Sequence, residues 1–355
     1  MENWVDKLLH WYEKEKRDLP WRNTGDPYKI WVSEIILQQT RVNQGIDYYL
    51  RFVSKYPTVS SLAAASEDDV LKMWQGLGYY SRARNMLHTA RYIEESLGGK
   101  FPRTYQQIRG LKGIGDYTAA AIVSFAFNQP YAVLDGNVMR VYSRLLGIDE
   151  PVDSSSGRKK LQLIANDYLP EKNSASYNQA VMELGALICL PKKPFCTQCP
   201  IQDQCYAYSH TLTAKLPVKQ VKKKIVKRFL NYLVIQSGDS IIMRKRPRGD
   251  IWQGLYDFPC IETAAAGTPL ALASSKEWRR IFRNRKVIVL SVSSEYRHVL
   301  THRLLLAKFI SLKAGRKEIE LPEGCEWIKL RNISDYPVPR LIDIYLSENF
   351  LNLNN

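Results

Sequence analysis

The chain has 355 residues and a formal net charge of +16, from 51 Lys and Arg against 35 Asp and Glu. At that length one or two domains with real cores are expected, and an excess of cations that repels itself in a folded chain fits a polyanionic partner. The longest apolar run, Ala119 to Phe127, is too short to cross a bilayer, and the charged amphipathic N-terminus lacks a signal core and a small-residue cleavage site, so no membrane partner is expected and the chain reads as cytoplasmic.

Residues 1–210 read as helical. Apolar side chains recur three and four apart in WVDKLLHWYEK, KIWVSEIILQQ, DDVLKMWQGL, YTAAAIVSFAF, NVMRVYSRLLG and YNQAVMELGALIC, with Pro and Gly between these segments. In WVSEIILQQT, Glu34 stands among Trp31, Val32, Ile35, Ile36 and Leu37. Such a glutamate either faces solvent or is buried, and burial would raise its pKa and keep it protonated near neutral pH.

LKGIGDYTAAAIVSFAF, from Leu111, reads as a turn through Gly113 and Gly115 into a helix starting near Asp116. Glycines there allow close backbone approach, and the N–H groups of the helix start can accept a phosphate. In VLDGNVMRVYSRLLG, Asp135 precedes a helix, a position expected to lower its pKa. Asp135 and Glu34 then form a pair in which one carboxylate stays ionised and the other holds its proton, as cleavage of a glycosidic bond requires.

Cys189, Cys196, Cys199 and Cys205 sit in one short loop, CLPKKPFCTQCPIQDQC. An unexported chain does not favour disulfides. Structural zinc sites usually pair two C-x2-C hooks across a longer loop, whereas only one such hook occurs here. Four nested thiolates favour a 4Fe–4S cluster, with zinc the alternative, and Lys192 and Lys193 would make the loop a basic protrusion. Cys260 and Cys325 fall outside the pattern and are expected as buried thiols.

Residues 211–228 carry seven Lys or Arg and no acid, and read as an interdomain linker against a phosphate backbone. From residue 229 to 355 the period changes to two: FLNYLVIQ, SIIMRKR, VIVLSVSSEY and RLLLAKFISL read as strands, SSKEWRRIFRN and PRLIDIYLSENF as helices. The expected fold class is therefore a mainly α N-terminal domain followed by a smaller α+β domain.

The helix-hairpin-helix at Leu111 to Phe127, the aspartate of LDGNV and the cysteine loop together resemble the endonuclease III superfamily of base-excision glycosylases. LPWR, WVSEIILQQT, GLGYYSRARN and YNQAVMELGALIC are similar, more narrowly, to MutY-type adenine DNA glycosylases. The resemblance is dense over residues ~5 to 210 and looser beyond. It implies that Glu34 protonates N7 of a flipped-out adenine, that Asp135 stabilises the sugar cation, and that Asn137 and Tyr117 support that centre. It implies that Arg22 and Gln179 contact adenine, that Gln39 and Tyr79 wedge into the duplex, and that the four cysteines hold a 4Fe–4S cluster.

Bifunctional relatives carry a lysine where this chain has Tyr117, and some members carry one where it has Met139. The resemblance thus implies base removal without efficient strand cleavage. The C-terminal domain resembles the family's Nudix-like domain, through DIWQGLYDFP, yet has no glutamate-rich Nudix box, so binding rather than hydrolysis is expected. Its counterpart of the family's 8-oxoguanine-reading loop is Leu300-Thr301-His302. The expected partner is double-stranded DNA with an A:8-oxoguanine mispair, bound by a monomer. The rival readings are an endonuclease III-like pyrimidine or mismatch thymine glycosylase, and a non-enzymatic cluster-bearing DNA-binding protein.

Overall fold

Asn3 opens the fold as a helix cap, its side chain accepting from Val5 N–H ahead of α1 (Trp4–Glu15), which buries Trp4, Leu8 and Tyr12 on one face. The structure is a computed structural model and describes residues 3–220, 225–283, 285, 287–300 and 302–351. Further helices follow: α2 (Pro27–Leu37), α3 (Val42–Lys55), α4 (Val59–Ala63), α5 (Glu67–Met73), α6 (Ser81–Leu97), α7 (Tyr105–Arg109), α8 (Asp116–Phe127), α9 (Gly136–Leu146), α10 (Ser155–Asp167), α11 (Ser174–Leu187) and α12 (Tyr206–Ser209). The α1 stripe joins Val138, Val141 and Tyr142 of α9, Leu161 of α10, and Tyr177, Val181 and Leu184 of α11 in one core.

Two helices depart from the one-sided pattern. α2 is buried from Ile30 to Ile36, and α8 from Thr118 to Ser124. A helix apolar all round belongs inside a bundle. α2 packs on α8, and Ala119, Ala120 and Ala121 keep the bulk between them small.

The C-terminal half builds β1 (Val226–Ser237), β2 (Ser240–Lys245), β3 (Tyr256–Asp257), β4 (Cys260–Thr263), β5 (Ile288–Val292), β6 (Tyr296–Val299), β7 (Arg303–Lys313) and β8 (Cys325–Lys329). The sheet runs β3-β2-β1-β7-β5, with β4 on β1, β6 on β7 and β8 on β2. β1 and β7 are parallel, in register from Val226↔Arg303 to Gln236↔Lys313. Both faces are covered, so β1 divides its apolar residues. Leu230, Tyr232 and Val234 face Leu341, Ile342 and Tyr345 of α15 (Arg340–Leu346). Leu233 and Ile235 face Trp278, Ile281 and Phe282 of α14 (Lys276–Phe282), which follows the short α13 (Pro269–Ala273).

The chain divides into two units, Met1–Ala64 with His88–Lys222, and Ala65–Leu87 with Lys223–Asn355. The division falls elsewhere than a cut after residue 210. α5 and its flanks pack with the sheet unit: Lys245 Nζ meets Asp68 at 2.7 Å, Gln75 Nε2 donates to Asp343 at 3.0 Å, and Arg84 Nη1 donates to the Gln253 carbonyl at 2.6 Å. Residues 211–220 in turn close onto the helical unit, where Arg144 Nε donates to Leu216 O and Val152 N to Val218 O. Arg228 already lies in β1, paired with Glu262 and Asp250.

Candidate active site

Because α2 has no polar face, Glu34 stands among apolar neighbours and is 5 % exposed. Burial lifts its carboxyl to about 7, against a hydrogen bond with Tyr117 and with a contribution from the Asp135 charge. Tyr117 stands in the first turn of α8, and its hydroxyl is held protonated by burial and by these two acids.

Asp135 caps α9. One oxygen accepts from the N–H groups of Asn137 and Val138 at 2.9 and 2.7 Å, and the other from Asn137 Nδ2 at 2.7 Å. The expectation that the helix start lowers its pKa is corrected here. Burial raises the group, outweighing the Val138 and Asn137 donors and the Arg140 charge. Arg140 sets the Asn137 amide by donating to its Oδ1 at 2.8 Å, and the same nitrogen reaches Gly185 O at 2.7 Å. Gly185 is required for this approach of α11 to α9, since a Cβ there would sit 2.6 Å from that of Asn137.

Glu34, Tyr117, Asp135 and Asn137 line one cavity of ≈ 400 Å³, together with Arg22, Gln39 and Gln179. Trp21, Leu37, Phe125 and Met182 supply apolar wall, and no lysine occurs in the lining. Another part of the lining is built on Glu183 of α11, one turn beyond Gln179. Its carboxylate accepts three bonds from Arg17 (N 2.9, Nε 2.9, Nη2 2.6 Å) and two from Arg22 (Nη1 3.1, Nη2 2.8 Å). Burial works to raise this group, but the Arg17 and Arg22 hydrogen bonds overcome it and hold it at about 2. Tyr12 Oη donates to Gln179 Oε1 at 2.5 Å. Sequence reasoning missed Tyr12, Arg17, Arg140, Glu183 and Gly185. Only the i,i+4 spacing of Gln179 and Glu183 could have pointed to one of them.

Gln39 follows α2 exposed at φ 62°, in the left-handed region. Gly113 (φ 81°) and Gly115 are exposed in the α7–α8 turn, where no side chain caps α8 and Asp116 is paired with Arg109. In the other unit Tyr79 is 50 % exposed at φ 48° beside Gly78 (φ 72°), its ring near the Arg82 guanidinium. Leu300 and His302 flank the β6–β7 turn, Leu300 packed on the sheet core and His302 exposed; Thr301 lies outside the described residues.

The four loop cysteines are half-buried and near enough for their charges to interact. Arg144, itself buried, donates to Cys189 Sγ at 3.3 Å and to Leu190 O at 2.7 Å, so a cation backs the thiols. Among the described residues no three His, Cys, Asp or Glu side chains are grouped so as to hold a single metal ion. Cys260 and Cys325 are half-buried in strands. No helix among the described residues is long and apolar enough to cross a membrane.

Residues 32–166 match the HhH-GPD superfamily base excision DNA repair protein family, and residues 231–348 match a NUDIX domain. The structure of a thermostable thymine-DNA glycosylase aligns with TM-score 0.54 and 30% identity, over 58% of this chain and 95% of that one. A non-covalent endonuclease III–DNA complex shares the fold, with TM-score 0.51 and 20% identity over 60% and 99%. The helical unit thus has the fold of the HhH-GPD base-excision glycosylases. The adenine DNA glycosylase of Buchnera aphidicola subsp. Acyrthosiphon pisum (strain APS) is 34% identical over 97% of this chain and 96% of its own length. That of Mus musculus is 32% identical over 90% and 73%. The chain belongs to the adenine DNA glycosylase family.

Proposed function

We propose that this protein removes adenine mispaired with 8-oxoguanine or guanine in duplex DNA, by acid-assisted hydrolysis of the N-glycosidic bond and without cutting the strand. The observation that carries the reading is a buried glutamate, Glu34, its carboxyl lifted by burial to about 7, in the same cavity as the helix-capping Asp135. Glu34 gives its proton to N7 of the extruded base. The C1′–N9 bond then breaks with its electrons on adenine, and the oxocarbenium sugar develops beside Asp135, whose anion it favours. Water adds at C1′ and returns a proton to Glu34, leaving adenine and an abasic sugar. A lining without lysine offers no amine to attack the sugar, which supports base release alone.

Duplex DNA fits the net charge of +16 and the uncapped α8 start at Gly113 and Gly115. Gln39 and Tyr79, exposed on strained backbone, suit wedges that fill the space of an extruded base. The turn of Leu300, Thr301 and His302 is the proposed reader of 8-oxoguanine. Cys189, Cys196, Cys199 and Cys205 would hold a 4Fe–4S cluster, which would supply rigidity and charge to the loop bearing Lys192 and Lys193 rather than chemistry at the base.

The test compares duplexes carrying A:8-oxoguanine with duplexes carrying oxidised pyrimidines. Wild type should be brown and release adenine, with strand breaks only after alkali. Glu34→Gln should lose about 10²–10⁴-fold in single-turnover rate, and Asp135→Asn should also fall steeply. Excision that survives in both variants rules the mechanism out, and a preference for oxidised pyrimidines rules the substrate out.

A further inference from the structure

We infer that Tyr12 is a specificity-determining residue: its hydroxyl holds the Gln179 carboxamide in one orientation, and that orientation selects a 6-amino purine over a 6-oxo purine. The inference rests on the proposed contact between Gln179 and the base. Tyr12 lies on the last turn of α1 and Gln179 on α11, so the two are joined only by tertiary packing. The Tyr12 ring is 4 % exposed, sits in the helical core, and has the Arg22 guanidinium 5.6 Å from its centroid. Burial, opposed by Arg22 and aided by Glu183, raises its pKa, so the hydroxyl keeps its proton.

That proton goes to Gln179 Oε1 at 2.5 Å, which turns the amide oxygen toward Tyr12 and leaves Nε2 with no hydrogen-bond partner among the described residues. The oxygen keeps a second lone pair. A carboxamide fixed in this way offers an acceptor beside a donor. With N7 left to Glu34, adenine presents the complement on its Watson–Crick edge, the 6-amino donor beside N1 that accepts. A 6-oxo purine such as hypoxanthine would set its carbonyl against the amide oxygen. The amide could match it only by flipping. The flipped NH2 would then donate to the Tyr12 oxygen, and the hydroxyl proton would be left without an acceptor in a buried place. Arg22, a pure donor, cannot take that proton.

The experiment measures single-turnover release of adenine and of hypoxanthine, each opposite 8-oxoguanine, by wild type, Tyr12→Phe, Gln179→Ala and the double variant. Tyr12→Phe keeps the ring and the packing, so its thermal midpoint should stay close to wild type. Its adenine-to-hypoxanthine rate ratio should shrink by about three- to tenfold, the worth of one neutral hydrogen bond. In the Gln179→Ala background the same change should leave the ratio within about twofold, because the amide it orients is gone. An unchanged ratio in Tyr12→Phe overturns the inference, as does an equal change with and without Gln179. Wild type that releases no adenine would instead remove the proposed function itself.

Discussion

Two buried glutamates line one cavity and end in opposite protonation states. Glu34 of α2 stands near 7, while Glu183 of α11 stands near 2, although Glu183 is the less exposed of the two at 1 % against 5 %. Burial pushes both upward. What separates them is the supply of donors: Glu34 has a phenol, and Glu183 has two arginines whose forks saturate both oxygens. The first glutamate is thereby left with a proton to give. The second has no lone pair to spare and can only hold Arg22 in place. An acid and an anchor are made from the same side chain on two helices that are both largely buried.

That contrast can be broken from the arginine side first. Glu183→Gln should cost about 3–5 kcal/mol in urea unfolding at neutral pH, because it leaves the half-buried Arg22 and Arg17 without the buried carboxylate that pairs them. The depressed carboxyl stabilises the fold above its unfolded pKa, and that contribution is lost as pH falls from about 4.5 to about 2. The variant should lack this acid limb. From the other side the sign reverses. A raised carboxyl favours the fold below about 4.5 and loses about 3 kcal/mol of that support as pH rises to about 7. Glu34→Gln should therefore flatten stability between those values, and wild-type excision should fall as pH passes about 7. An urea midpoint of wild type that does not decline over that window counts against the protonated acid. The smallest change is Gly185→Ala. It forces Asn137 away from α11 and should cost about 1–3 kcal/mol of stability, with a larger proportional loss of excision than of fold.

Much of the acid wall was legible in the sequence. A single Glu in an otherwise apolar helix, and an Asp before a Gly-Asn helix start, each carry a local signal, and the structure puts both in one cavity. The strands from residue 229 onward were equally legible where the period of two is long, as in β1 and β7, but β3, β4 and β8 are too short or too mixed to show it. The anchor wall was not legible. Arg17 meets Glu183 across 166 residues, and Tyr12 meets Gln179 across 167, distances over which no spacing rule operates. The direction assigned to Asp135 failed for a related reason. The cap is local and visible in the sequence, whereas the burial that outweighs it comes from helices far along the chain.

The stretch around α5 has a practical meaning for anyone wishing to take this molecule apart. Gly254, at φ 80°, lies so close to α5 that an added Cβ would be 3.0 Å from Glu67 and 3.2 Å from Leu71, and Lys72 reaches the Tyr336 carbonyl at 3.2 Å. Stopping translation after residue 222 would strip that stretch of its cover and leave a greasy, charge-studded helical segment in the middle of the remaining fragment. A clean excision would have to remove or replace residues 65–87 as well, so the catalytic half is separable only by three cuts and a splice.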